Sequence, residues 1–97
     1  MFLMSLPNEE IQVQVSTPDV DLLLQAHVLL YNDEWHTFDE VITQLILAIG
    51  CTMEVADSMA WDVHTKGVCK VYQGNIEKCL KVSGILEEIE LKTEVRF

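Results

Sequence analysis

Between residues 37 and 67 the chain starts and stops a helix twice, and that punctuation constrains the fold more than any other feature. Thr37 is an N-capping residue with Glu40 three positions on, the pattern of a capping box. The apolar residues that follow, Phe38, Val41, Ile42, Leu45 and Ile49, recur near the i, i+3, i+4, i+7 spacing of one helix face. Gly50 then stands where helices usually end. Thr52 opens a second helix two residues later, with Glu54 and Asp57 near its positive end. Its apolar stripe is Ala56, Met59, Ala60 and Val63, and Lys66-Gly67 is a stop signal.

Strands flank this pair. Residues 26–31, Ala-His-Val-Leu-Leu-Tyr, read as a strand ended by Asn32-Asp33, and 68–72 as a second strand. A turn is expected at Gln73-Gly74, after which Asn75 caps a third helix through Ile76, Leu80, Ser83 and Leu86 to about Ile89. Residues 91–97 alternate and give a third strand. The order is β-α-α-β-α-β, and strands that do not alternate strictly with helices point to an α+β fold. A small three-stranded antiparallel sheet packed against three helices is expected. Residues 1–25 read as a flexible N-terminal arm with a short strand over 11–15, and 26–97 as the folded domain.

Charge narrows the function. The chain of 97 residues carries 6 Lys and Arg against 16 Asp and Glu, a net charge of −10. Eleven acidic residues and no Lys or Arg fall before Lys66. Nucleic-acid binding draws its affinity from neutralised phosphates and needs a basic stripe, which this chain lacks. An anionic membrane surface is excluded on the same ground, and no apolar run approaches a membrane span. A cationic ligand suits the field better. Residues 1–7 lack the basic start and apolar length of a signal peptide, so a soluble cytoplasmic protein is expected.

The chemistry-bearing residues are few. Cys51, Cys69 and Cys79 form no paired motif, which argues against disulfides and zinc knuckles; a zinc site of Cys51, His64 and Cys69 is a remote alternative. No nucleophile elbow, phosphate loop or metal quartet is present, so neither an enzyme nor a cofactor is expected. Two places hold unusual polar residues. One is Asn32-Asp33-Glu34-Trp35-His36-Thr37, between the first strand and the first helix. The other is Val63-His64, where an imidazole at the edge of the buried face touches both core and water. Each also has a plain structural reading: Asn-Asp suits a turn, and a lone histidine at such an edge is commonly structural.

At Leu30-Tyr31-Asn32-Asp33-Glu34-Trp35-His36-Thr37-Phe38 and Val63-His64-Thr65-Lys66-Gly67 the sequence resembles the ClpS family, adaptors of the ATP-dependent Clp protease. It is also similar to the ClpS-like domain of eukaryotic N-end-rule ubiquitin ligases. The resemblance runs over roughly 26–97, making that segment a ClpS-like adaptor domain. It implies a three-stranded antiparallel sheet with three helices, in agreement with the element order. It further implies binding of proteins by a free N-terminal Leu, Phe, Tyr or Trp and delivery to a Clp-type AAA+ chaperone through its N-terminal domain. By position, Asn32, Glu34 and His64 would meet the α-amino group and first peptide unit, with Asp33 a neighbouring member of the motif. His36 would lie at the rim, where the family often has Thr. Phe38 stands at the family's Met gate, Val41, Ala60 and Val63 would line the side-chain pocket, and Leu91 would close it. Ala60 stands where the family commonly has a larger Met.

These residue types suit the task. An N-terminal residue differs from an internal one by its ammonium group, which requires fixed acceptors: an amide oxygen, a carboxylate and a neutral imidazole nitrogen. Because an imidazole accepts only when neutral, acidification towards pH 5.5 is expected to weaken binding. The alternative is a non-catalytic assembly module of the same fold that docks a protein through its third helix without reading N-termini.

Overall fold

A computed structural model describes residues 24–97; the expected arm over 1–25, with its strand over 11–15, lies almost wholly outside the described residues. Among the described residues three strands and three helices follow in the order β-α-α-β-α-β: β1 (Gln25–Tyr31), α1 (Phe38–Ile49), α2 (Met53–Lys66), β2 (Val68–Asn75), α3 (Ile76–Leu86) and β3 (Thr93–Arg96), with a 3-10 turn at Glu87–Ile89. The sheet is antiparallel with β1 in the centre, between β2 and β3.

Alternation along β1 sets the layers. Ala26, Val28 and Leu30 point to one face and are buried, while His27, Leu29 and Tyr31 on the other are half-buried. α3 lies against all three strands, and α1 packs on α2 and α3. Leu45 of α1, Ala56 of α2 and Leu86 of α3 meet Val28 and Leu30 in one fully closed core. One buried polar group is used in this packing: Gln44 Nε2 donates to the Ile85 carbonyl at 2.7 Å and fastens α1 to α3.

The helix signals act as read. Thr37 Oγ1 accepts from the Glu40 amide at 3.1 Å, and Glu40 Oε1 accepts from the Thr37 amide at 2.8 Å. Thr52 Oγ1 and Asn75 Oδ1 cap α2 and α3 with a single bond each, accepting from the amides of Val55 and Lys78. Gly50 (φ 74°) and Gly67 (φ 86°) end α1 and α2 in the left-handed region that a side chain disfavours.

Three local expectations are corrected. Gln73-Gly74 is not a turn: β2 runs on to Asn75, pairing Gln73 with His27 and Gly74 with Ala26. The register shifts opposite Val28 and Leu29, so Val71 is an extra residue and the bulge reorients the strand beyond it. Gly74 is small because the Tyr72 ring covers it, at 3.1 Å from where a Cβ would stand. On α3 the buried stripe is Cys79, Val82, Ser83 and Leu86, whereas Leu80 is exposed. The last strand is shorter than expected: Glu90 takes a left-handed conformation (φ 66°), and Leu91 enters the core before pairing starts at Thr93.

Candidate functional site

A cleft of about 400 Å³ opens where the β1–α1 loop, the start of α1, the end of α2 and Leu91 meet. All ten residues expected at the site line it. Asn32, Asp33, Glu34 and His36 come from the loop, and Phe38 and Val41 from α1. Ala60, Val63 and His64 come from α2, and Leu91 from the segment before β3. Leu30, Tyr31 and Thr37, which belong to the same motif but were given no role in the site, also line it.

The loop is held at each step. The Asn32 amide donates to the Gly67 carbonyl at 2.9 Å, tying the end of β1 to the end of α2. Asp33 Oδ1 accepts from the amides of Trp35 (3.1 Å) and His36 (2.9 Å), which bends the chain into an Asx-type turn. Asp33 Oδ2 lies 2.6 Å from Nδ1 of His36. The capping box at Thr37 then passes the loop into α1. Asp33 is therefore occupied by three donors of its own loop. Burial works against its charge, but these bonds hold its carboxyl below the usual range.

The neighbouring polar groups differ. Among the described residues the side chains of Asn32, Glu34 and His64 make no hydrogen bond or ion pair, and all three residues are exposed. An amide, a carboxylate and an imidazole thus border one cleft with their acceptors open. The floor is apolar and closed: Ala60 is 4%, Val63 5% and Leu91 3% exposed.

The mouth carries an aromatic cluster. The Phe38 ring meets Trp61 edge-on at 4.9 Å between centroids and His64 at 5.3 Å, and Trp61 stands 6.0 Å from His64. Trp61 had not been singled out. It lies three residues before His64 on α2, so helical spacing alone places the two on one face. His36 is more enclosed than a rim residue would be, because its ring reaches across to Ile89.

Among the described residues no group of three or more His, Cys, Asp or Glu side chains is placed to hold a metal ion, so Cys51, His64 and Cys69 do not converge. No described helix is long and apolar enough to cross a membrane.

Comparison with known proteins adds three findings. Residues 24–94 match the family described as ATP-dependent Clp protease adaptor protein ClpS. The human E3 ubiquitin-protein ligase UBR2 is 32% identical over 60 residues, which is 62% of this chain and 3% of that protein. The chain thus spans a small fraction of that relative's length. Among solved structures, that of Agrobacterium tumefaciens ClpS2 bound to L-phenylalaninamide is similar with a TM-score of 0.67, covering 74% of this chain and 96% of that one. At 14% identity the likeness is one of fold.

Proposed function

The chain belongs to the ClpS family of ATP-dependent Clp protease adaptors, and from that premise we propose that it binds proteins by a free N-terminal Leu, Phe, Tyr or Trp. The observation that carries this reading is the pairing of open acceptors with an apolar floor in one cleft. Asn32, Glu34 and His64 receive the α-amino group and first peptide unit, while Asp33 shapes the loop that carries two of them. The side chain of the first residue enters past Phe38 and lies on Val41, Ala60, Val63 and Leu91. The ligand of the Agrobacterium protein, L-phenylalaninamide, has a free α-amino group and a large apolar side chain, which is the chemistry proposed here.

Magnitudes support a binding function of moderate affinity. Charge-assisted hydrogen bonds contribute about 1.5–3 kcal/mol each. Burying one Leu or Phe side chain adds about 1.5–3 kcal/mol. Ordering the peptide opposes this by at least about 4 kcal/mol. Three such contacts and one buried side chain leave up to about 8 kcal/mol, which corresponds to micromolar binding. A shallow cleft on a small domain suffices.

We further propose that the bound protein is delivered in the cytoplasm to a Clp-type AAA+ chaperone, and that the adaptor performs no chemistry itself. The test is co-degradation: a reporter starting with Leu is expected to be degraded by the AAA+ protease faster when this protein is added, and an N-acetylated reporter is not. Equal rates for the two reporters would contradict the proposal.

A further inference from the structure

The His36 side chain is only 5% exposed, and both ring nitrogens meet acceptors. Nδ1 lies 2.6 Å from Asp33 Oδ2, and Nε2 lies 2.5 Å from the carbonyl oxygen of Ile89, far along the chain. A carbonyl oxygen only accepts, so Nε2 carries a proton. Asp33 already accepts two backbone amides on Oδ1, an arrangement that keeps a carboxylate ionised. Nδ1 therefore donates as well, and the ring is an imidazolium. Its two bonds join separate walls of the cleft. Asp33 and His36 belong to the loop that carries Asn32 and Glu34, whereas Ile89 ends the 3-10 turn, two residues before Leu91.

We propose that His36 is a positioning residue: donating from both nitrogens, it clamps the 32–37 loop to the Ile89 carbonyl and fixes Asn32 and Glu34 for the incoming ammonium group. This rests on the N-terminus-binding reading of the cleft. The charges around the ring favour the cation. Asp33 faces it from the loop and Glu40 acts on it from α1, while Glu88 and Glu90 adjoin Ile89 in the chain, with Glu88 Oε1 accepting from Gln44 Nε2 at 3.4 Å. Burial opposes the charge, but the bonds to Asp33 and Ile89 outweigh it and raise His36 above the ordinary imidazole range. A neutral ring has one N–H and keeps one of the two bonds. The clamp therefore opens as pH rises through the raised value.

Long-range ¹H–¹⁵N NMR of the histidine ring nitrogens in the free protein, from pH 5 to 9, tests the clamp. The comparison is with Asp33→Asn, which keeps an oxygen for the Trp35 and His36 amides but removes the charge. Both His36 nitrogens are expected to be protonated in the unsubstituted protein at pH 7. In D33N the ring should lose its proton at a lower pH, because the carboxylate that favours the cation is gone. In parallel titrations with a Leu-starting peptide, the part of the alkaline loss of binding that follows the His36 ring should disappear in D33N, because a neutral ring there accepts from the introduced amide at Nδ1 while Nε2 still donates to Ile89, leaving the edge to the peptide's own amine. His36→Gln, a neutral donor, should remain folded by circular dichroism and bind about tenfold more weakly at pH 7, the loss of one charge-assisted hydrogen bond. A singly protonated His36 ring at pH 7, or a binding edge unmoved in D33N, would overturn the proposal. Ring signals as expected with no peptide bound at any pH would support the clamp and overturn the N-terminus reading instead.

Discussion

Ala60 and Asp33 carry predictions that separate pocket shape from loop order. Ala60 forms part of the closed floor at 4% exposure. Ala60→Met raises that floor, and the largest side chain suffers first. Affinity for a Trp-starting peptide is expected to fall by about tenfold or more, with Leu changing several-fold less, since overpacking a closed site costs about 1–3 kcal/mol. Equal losses for the two peptides would remove Ala60 from the pocket. The Asp33–His36 pair also ties stability to pH in a defined window. The carboxyl of Asp33 is lowered, so its contribution is present above the ordinary carboxylate value of about 3.9 and is lost as pH falls. His36 is raised, so its contribution is complete below about 6.5 and is lost as pH rises through the folded value. The Tm difference between the unsubstituted protein and D33N should be widest between about pH 4 and 6.5 and shrink on both sides. A difference constant from pH 3 to 9 would contradict the pair's role.

Elements that announce themselves locally were legible in the sequence. The capping box at Thr37 and Glu40 involves four consecutive residues, and the structure forms both of its bonds. Thr37→Ala should cost about 1 kcal/mol. In a domain of this size that lowers Tm by about 4–8 °C, and because Thr37 opens the helix behind the loop, peptide affinity should fall with it. An unchanged Tm would show the cap to be redundant. What the sequence left unread depends on partners far along the chain. Gln73-Gly74 has the composition of a turn, yet cross-strand pairing with His27 and Ala26 holds it extended. Leu80 matches an apolar stripe on α3, but the sheet selects Cys79 and Val82 instead. In the site, the residues of the loop and of α2 that the resemblance pointed to line one cleft. The resemblance gave no sign that His36 bonds to Ile89, because that contact exists only once the chain has closed.

At the scale of the molecule, charge and shape act together. The chain is acidic overall at −10 with its cations confined to the residues after Thr65, so the residues contributing to the cleft loop, α1 and most of α2 lie in a stretch without Lys or Arg. A negative surround attracts an ammonium group and penalises a carboxylate beside it. A peptide starting Leu-Lys should bind more tightly than one starting Leu-Glu, and the gap should narrow as salt rises from about 50 to 500 mM, where screening shortens to a few ångströms. A gap that does not respond to salt would assign the preference to contact rather than field. The central claim is recognition of a free N-terminus, and fluorescence anisotropy tests it most directly. Labelled peptides starting with Leu, Phe, Tyr or Trp are compared with an N-acetylated Leu peptide and one starting with Ser. Binding at about micromolar Kd to the free apolar N-termini alone is the predicted result. Equal affinity for the acetylated peptide, or no binding to any, would contradict the account and return attention to α3 as a docking face.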